Sequence, residues 1–257
     1  MTINRRELLS LGVFALLPQV RGGESIPADL VGDLVAANHI LATEGIVDGY
    51  GHVSVRSPRN KERFLLSRSL APESVTTADI LEYGLDGEPA DINVAKGRTS
   101  YKERYIHSEI YRARPDVNAV VHCHAPSLIP FGVTKVPLRP MYHQSAFLAA
   151  GVPVFEIREA GGMTNMLVET AALGRALAKT LADKPAALMR GHGAVVVADT
   201  IPNVVGRSIY LEINARVQSQ AIALGGPITY IDPEEARKYA ASDNYSRAWE
   251  LWKKKAK

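Results

Sequence analysis

Two segments constrain the fold of this chain more than any others: Ala119-Val120-Val121-His122-Cys123-His124 and, seventy residues on from His122, the turn Arg190-Gly191-His192-Gly193. The first reads as a strand. Side chains in a strand alternate between faces, so both imidazoles share one face and the thiol takes the other. The second lies between the apolar runs Ala186-Met189 and Ala194-Val197, which read as paired strands, and its glycines let backbone approach closely. A third imidazole there completes the kind of nitrogen set that holds a catalytic divalent metal and leaves positions open for substrate. Spacing alone fits equally well three unrelated histidines, each hydrogen-bonded in a core.

At 257 residues the chain suffices for one large domain and requires no second. A hydrophobic content of 46% with 22% charged residues is that of a soluble globular protein, and a net charge of +3 is too small to argue for nucleic acid. Part of that charge is the lysine tail Lys253-Lys254-Lys255 and Lys257, read as a solvated terminus. The single cysteine, Cys123, excludes an intramolecular disulfide and leaves the redox compartment open.

Residues 1–26 are set apart from the catalytic domain expected over 27–257. Arg5-Arg6, the apolar stretch Leu11 to Leu17, then Pro18 and Gly22-Gly23 resemble a twin-arginine export signal, which implies a periplasmic location. No Ala-x-Ala cleavage site follows, and an amphipathic N-terminal helix of a cytoplasmic protein is the alternative. The stretch is too short to span a bilayer, so no membrane span is expected.

Apolar spacing predicts a helix from Pro27 to Thr43. Alternation predicts a hairpin of His52-Val53-Ser54-Val55-Arg56 and Arg63-Phe64-Leu65-Leu66-Ser67, joined through Ser57-Pro58-Arg59-Asn60. Residues 75–98 mix turn formers with short apolar pieces. Thr99 or Ser100 is the expected cap of a helix from Lys102 through Arg112, and further helices are expected over Asn165 to Ala182 and Pro202 to Leu224. In the last, Val205, Ile209, Ile213, Val217 and Ala221 recur every fourth residue as a structural stripe. Strands in the middle with helices before, between and after them suggest one sheet covered by helices.

Gly51-His52-Val53-Ser54-Val55-Arg56, Glu103 to Pro115 leading into Asn118 to His124, and Leu188-Met189-Arg190-Gly191-His192-Gly193 together resemble the class II aldolase/adducin family from about Leu30 to Leu224. The resemblance implies an α/β fold, three layers α/β/α around a central, largely antiparallel mixed sheet. It implies one divalent metal ion per subunit (Zn, Mn, Co or Fe) on His122, His124 and His192, with Glu103 as an acid/base that also touches the metal. It implies a homotetramer, for which the row Tyr245, Trp249 and Trp252 supplies expected contact surface. His107, one turn after Glu103, either packs beneath the site or acts directly.

Sugar-phosphate aldolases of the family carry Gly-Asn where this chain has Gly51-His52, and a small-residue phosphate cradle where it has Ser67-Arg68-Ser69. The departures resemble the branch that decarboxylates hydroxylated aromatic dicarboxylates. A guanidinium fork suits a carboxylate, so Arg68 is expected to hold one, with Ser67, His52 and His143 completing the candidate substrate contacts. The expected enzyme is a metal-dependent lyase acting on a small-molecule carboxylate, with Glu103 or His52 supplying the proton. Retro-aldol or epimerase chemistry on a sugar derivative is the first alternative. An iron-dependent oxygenase is another, and an adducin-like structural role conflicts with the retained histidines.

Overall fold

The computed structural model describes residues 26–240 and 245–256. The export segment expected over 1–26 lies outside the described residues except for Ile26. Among those described, strands β1 (His52–Arg56), β2 (Arg63–Ser67), β3 (Ile80–Gly84), β4 (Ala119–Cys123), β5 (Val154–Phe155), β6 (Ala186–Met189) and β7 (Gly193–Ala198) form one sheet. Its order is β3-β2-β1-β4-β7-β6-β5. All neighbours pair antiparallel except β5 and β6, which are parallel. The sheet is therefore mixed and largely antiparallel, as expected.

Among the described residues, the α-helices of eight or more residues are α1 (Ala28–Thr43), α2 (Arg104–Ala113), α3 (Ala171–Leu181), α4 (Ile201–Leu224), α5 (Pro233–Ala240) and α6 (Ser246–Lys255). Strands β1, β2, β4, β6 and β7 are buried on both faces, and alternation sorts their side chains into two cores. Val53, Val55, Val121, Cys123 and Val196 face α1, α4 and α6. Phe64, Leu66, Val120, Val195 and Val197 face Ile106, Ile110 and Tyr111 of α2 and Leu177 and Leu181 of α3. This is the expected three-layer α/β/α arrangement.

Several expectations need correction. Helix α2 starts at Arg104, with Glu103 at its N-cap and neither Thr99 nor Ser100 capping it. Those residues are tied elsewhere: the Ser69 amide donates to the Thr99 carbonyl, and Tyr83 donates to Ser100. Helix α3 starts at Ala171 rather than Asn165, capped by Thr170, because 164–169 is held in turns by Thr164 and Asn165. The strands β3 and β5 were not expected. The stripe on α4 is fully buried only at Val205 and Ile209, with Ile213, Val217 and Ala221 half-exposed. A spacing of four drifts about 40° per step around a helix of 3.6 residues per turn.

The C-terminal aromatics are corrected too. Tyr245, Trp249 and Trp252 are 5%, 4% and 6% exposed and lie in this chain's own core, so they offer no surface to a neighbour. Helix α6 packs on α1 and α4.

Candidate metal centre

The register of the sheet builds the site. His52 on β1 stands directly opposite His122 on β4, and Ser54 opposite Val120, so His52, Ser54 and His122 share the face covered by α2. Just past the end of β4, His124 follows His122 on the same face. Cys123 points into the opposite core, and burial pushes its thiol up to about 11. At the start of β7, Gly193 lies so close to β4 that a Cβ there would strike the Cys123 carbonyl. That approach carries His192 to His124.

Four side chains converge. The Nε2 atom of His124 is 3.0 Å from Nε2 of His122 and 3.1 Å from Nε2 of His192. Oε2 of Glu103 is 3.4 Å from His122 Nε2 and 3.5 Å from His192 Nε2. All four ligand atoms lie within 4.8 Å of one another. Four donors around one ion at 2.0–2.2 Å stand about 3.4 Å apart in a tetrahedron, so the spacing fits a metal.

The tautomers fit as well. His122 Nδ1 is 3.1 Å from the Ala194 carbonyl and His192 Nδ1 is 3.0 Å from the Met166 carbonyl. A carbonyl only accepts, so each Nδ1 carries a proton, which leaves Nε2 as the nitrogen available to a metal at the centre. Lone pairs this close repel unless a cation lies between them. Glu103 Oε1 is fixed by the Val168 amide at 2.9 Å. Met166, at φ 70°, adopts the left-handed region at a cost of about 1–3 kcal/mol. The 164–169 turns thus clamp both His192 and Glu103, which explains why α3 starts late.

Electrostatics keep the donors ready. Burial would raise the Glu103 carboxyl, but His122 and His192 beside it carry it well below the usual range, so it is ionised. Burial and the neighbouring His122 and His192 hold His124 down at about 4, so it is neutral near pH 7. His52 is likewise held well below 6.5 by burial and by His107.

The centre opens into a cavity of about 400 Å³ lined by His52, Glu103 and His124, by Tyr50 and Tyr101, by Ser69, Leu70 and Ala71, and by Thr99, Ser100, Lys102 and Leu167. Lys102 is the single cation in this lining apart from the histidines. Sequence reasoning did not single it out, although it immediately precedes Glu103.

The structure does not bring all candidate substrate contacts here. Arg68 is outside the lining; its Nε donates to Asp79 Oδ1 at 2.6 Å, and Thr76 and Arg68 together hold that carboxyl down at about 2. Ser67 is buried with its hydroxyl 3.2 Å from that of Tyr101, behind the cavity wall. His143 sits exposed on the 3-10 helix His143–Ala150, its ring 5.0 Å from that of Tyr239, also outside the lining. His52 remains. His107 lies beneath it, fully buried and hydrogen-bonded to both His52 and Ser54.

Residues 32–219 match the model of the class II aldolase and adducin N-terminal domain. The chain belongs to that family. It is 35% identical over 254 residues to the decarboxylase tropJ of Talaromyces stipitatus, covering 89% of this chain and 94% of that one. It is 29% identical to a 3,4-dihydroxyphthalate decarboxylase of Arthrobacter keyseri, over 84% of this chain and 89% of the other. Among solved structures, L-fuculose 1-phosphate aldolase from Glaciozyma antarctica superposes with a TM-score of 0.70 at 26% identity, over 88% of this chain and 86% of that one. In this family setting, Glu103, His122, His124 and His192 form a metal-binding cluster at the floor of an enzyme's cavity.

Proposed function

We propose that this protein is a divalent-metal-dependent carbon–carbon lyase that decarboxylates a hydroxylated aromatic or enolisable dicarboxylate. The observation that carries the reading is a three-imidazole, one-carboxylate cluster in a cavity whose other polar lining includes Lys102 and His52. Similarity to two decarboxylases, one acting on 3,4-dihydroxyphthalate, supports it. The donor set suits Zn, Mn, Co or Fe, and Cys123 on the far face offers no thiolate. When bound, the ion would serve as a Lewis acid that stabilises negative charge developing on the substrate.

The chain's own residues do the rest. Lys102 pairs with the carboxylate that stays, the task expected of Arg68, whose Nε donates to Asp79 outside the cavity lining. Leu70, Ala71 and Leu167 give the cavity an apolar wall that limits water around the breaking bond. As the carbon–carboxylate bond breaks, carbon dioxide leaves, its bonding pair stays on carbon, and a proton takes its place. Glu103 and His52 both line the cavity within reach of that proton's path. Glu103 rests ionised, so it must first take up a proton, for which a substrate hydroxyl is the natural source.

The reading extends to a homotetramer and to periplasmic export, supported by family resemblance and by the paired arginines Arg5 and Arg6. Retro-aldol cleavage of a sugar phosphate is the second reading, favoured by the fold shared with L-fuculose 1-phosphate aldolase. Product analysis separates the two. Metal-loaded protein given a panel of hydroxylated aromatic dicarboxylates and sugar phosphates should release carbon dioxide from the former and no aldehyde from the latter. Lys102→Ala should weaken dicarboxylate binding by about 1.5–3 kcal/mol, seen as a raised KM. Aldehyde release alone would overturn the proposal.

A further inference from the structure

Behind His52 runs a line of hydrogen bonds that the metal cluster does not use. The Tyr111 hydroxyl is 2.8 Å from Ser54 Oγ, Ser54 Oγ is 2.6 Å from His107 Nδ1, and His107 Nε2 is 2.6 Å from His52 Nδ1. Ser54 and His107 are 0% exposed and Tyr111 is 1%, so the links lie out of reach of bulk water. Sheet register places Ser54 two residues beyond His52 on the same face, and helical spacing places Tyr111 one turn beyond His107. Two strand residues and two helix residues therefore interleave.

Each link carries one proton, and the line with every donor satisfied has two polarities, between which its closed end decides. In one, Tyr111 donates to Ser54 at 2.8 Å. In the other it must turn to the Asn118 carbonyl at 3.5 Å, beyond good hydrogen-bond length. Arg56 reinforces the first. Its guanidinium lies 4.7 Å from the Tyr111 ring centre and is fixed by the carbonyls of Lys61, Tyr111, Arg114 and Val117. A cation held over a phenol makes its hydroxyl a better donor. With Tyr111 donating, Ser54 donates to His107 Nδ1, and His107 Nε2–H then donates to His52 Nδ1.

We infer that Tyr111, Ser54 and His107 are positioning residues that hold His52 as the neutral imidazole protonated at Nε2, so that it meets the substrate as a hydrogen-bond donor and not as a base. Burial and the nearby His122 keep His107 down at about 3, which agrees with a neutral relay ring. The line does not conduct protons onward. Burial raises the Tyr111 hydroxyl far above its ordinary value, so that end cannot ionise to supply them. His52 therefore steadies a substrate oxygen, and the proton that replaces carbon dioxide travels by Glu103. This division of labour rests on the decarboxylase reading; the tautomer of His52 does not.

Nitrogen-15 NMR of histidine-labelled protein, loaded with zinc as a diamagnetic probe and free of substrate, reads the tautomer directly. His52 should show a protonated Nε2 and an unprotonated Nδ1, in excess by about fivefold or more, the worth of one net hydrogen bond. Tyr111→Phe and Ser54→Ala should reduce that excess toward an even mixture, and Ser54→Thr, which keeps the hydroxyl, should restore it. In turnover the first two variants should lower kcat with KM and metal content little changed. A protonated Nδ1 in the parent, or an undiminished Nε2–H excess in both variants, would overturn the assignment. A parent with the expected tautomer that releases no carbon dioxide would instead remove the decarboxylase reading and leave this one standing.

Discussion

Glu103 sits among three imidazoles with one carboxylate oxygen fixed by the Val168 amide and the other turned to the histidine nitrogens. Glu103→Gln preserves that shape but can no longer exchange a proton, so kcat should fall about a hundredfold or more while the three histidines still hold the ion. Near-parent kcat in this variant would remove Glu103 from the proton's path. His107 carries a second consequence. Its folded value near 3 lies below the ordinary 6.5, so between them the unfolded chain binds a proton that the folded chain refuses. Stability from this group is therefore complete above pH 6.5 and declines as pH falls toward 3, by about 1.4 kcal/mol per unit. Between pH 7 and 5 metal-free protein should lose about 2 kcal/mol more stability in denaturation than His107→Gln does, beyond the loss that His52 and His124, also held down, give to both. The same loss in both proteins would contradict a neutral buried His107. The histidine set was legible because alternation and a glycine turn are local signals. The contact of Arg68 with Asp79 was not, since nothing in the sequence says that a carboxylate eleven residues on folds back beside that guanidinium.

Elements with a simple period are legible in the sequence, and those defined by distant partners are not. The hairpin β1–β2, the strand β4 and the pair β6–β7 follow from alternation and turn residues. Helix α3 begins six residues later than expected because the Met166 carbonyl and the Val168 amide serve His192 and Glu103 instead of a helical turn. Strand β3 was hidden among turn formers because its pairing partner β2, not its own composition, makes it a strand. Helix α6 shows the same limit at the C-terminus. Its aromatic row is visible in sequence, but whether it covers a neighbour or its own core depends on the α1 and α4 faces that meet it. Trp252→Ala should cost about 3–5 kcal/mol in chemical denaturation, as for a buried aromatic removed from a core. Unchanged unfolding with a shifted sedimentation coefficient would return that helix to a role between subunits.

Across the whole molecule, the sheet joins pieces that lie far apart in the chain. The β1–β4 register sets His52 beside His122, and the close approach of β7 to β4 at Gly193 delivers His192. Helix α2 covers that face, presenting Glu103 at its start and His107 and Tyr111 one and two turns later. Among the described residues no helix is long and apolar enough to cross a membrane. The sheet and the start of α2 thus hold donors from three separate segments at separations that suit one shared ion. The most direct test is a titration of metal-free protein with Mn or Zn while carbon dioxide release from a hydroxylated aromatic dicarboxylate is followed. Activity should rise linearly and saturate at one ion per chain, and His122→Ala, His124→Ala and His192→Ala should each abolish the rise. Full carbon dioxide release without any ion, or saturation undisturbed by these substitutions, would contradict the account.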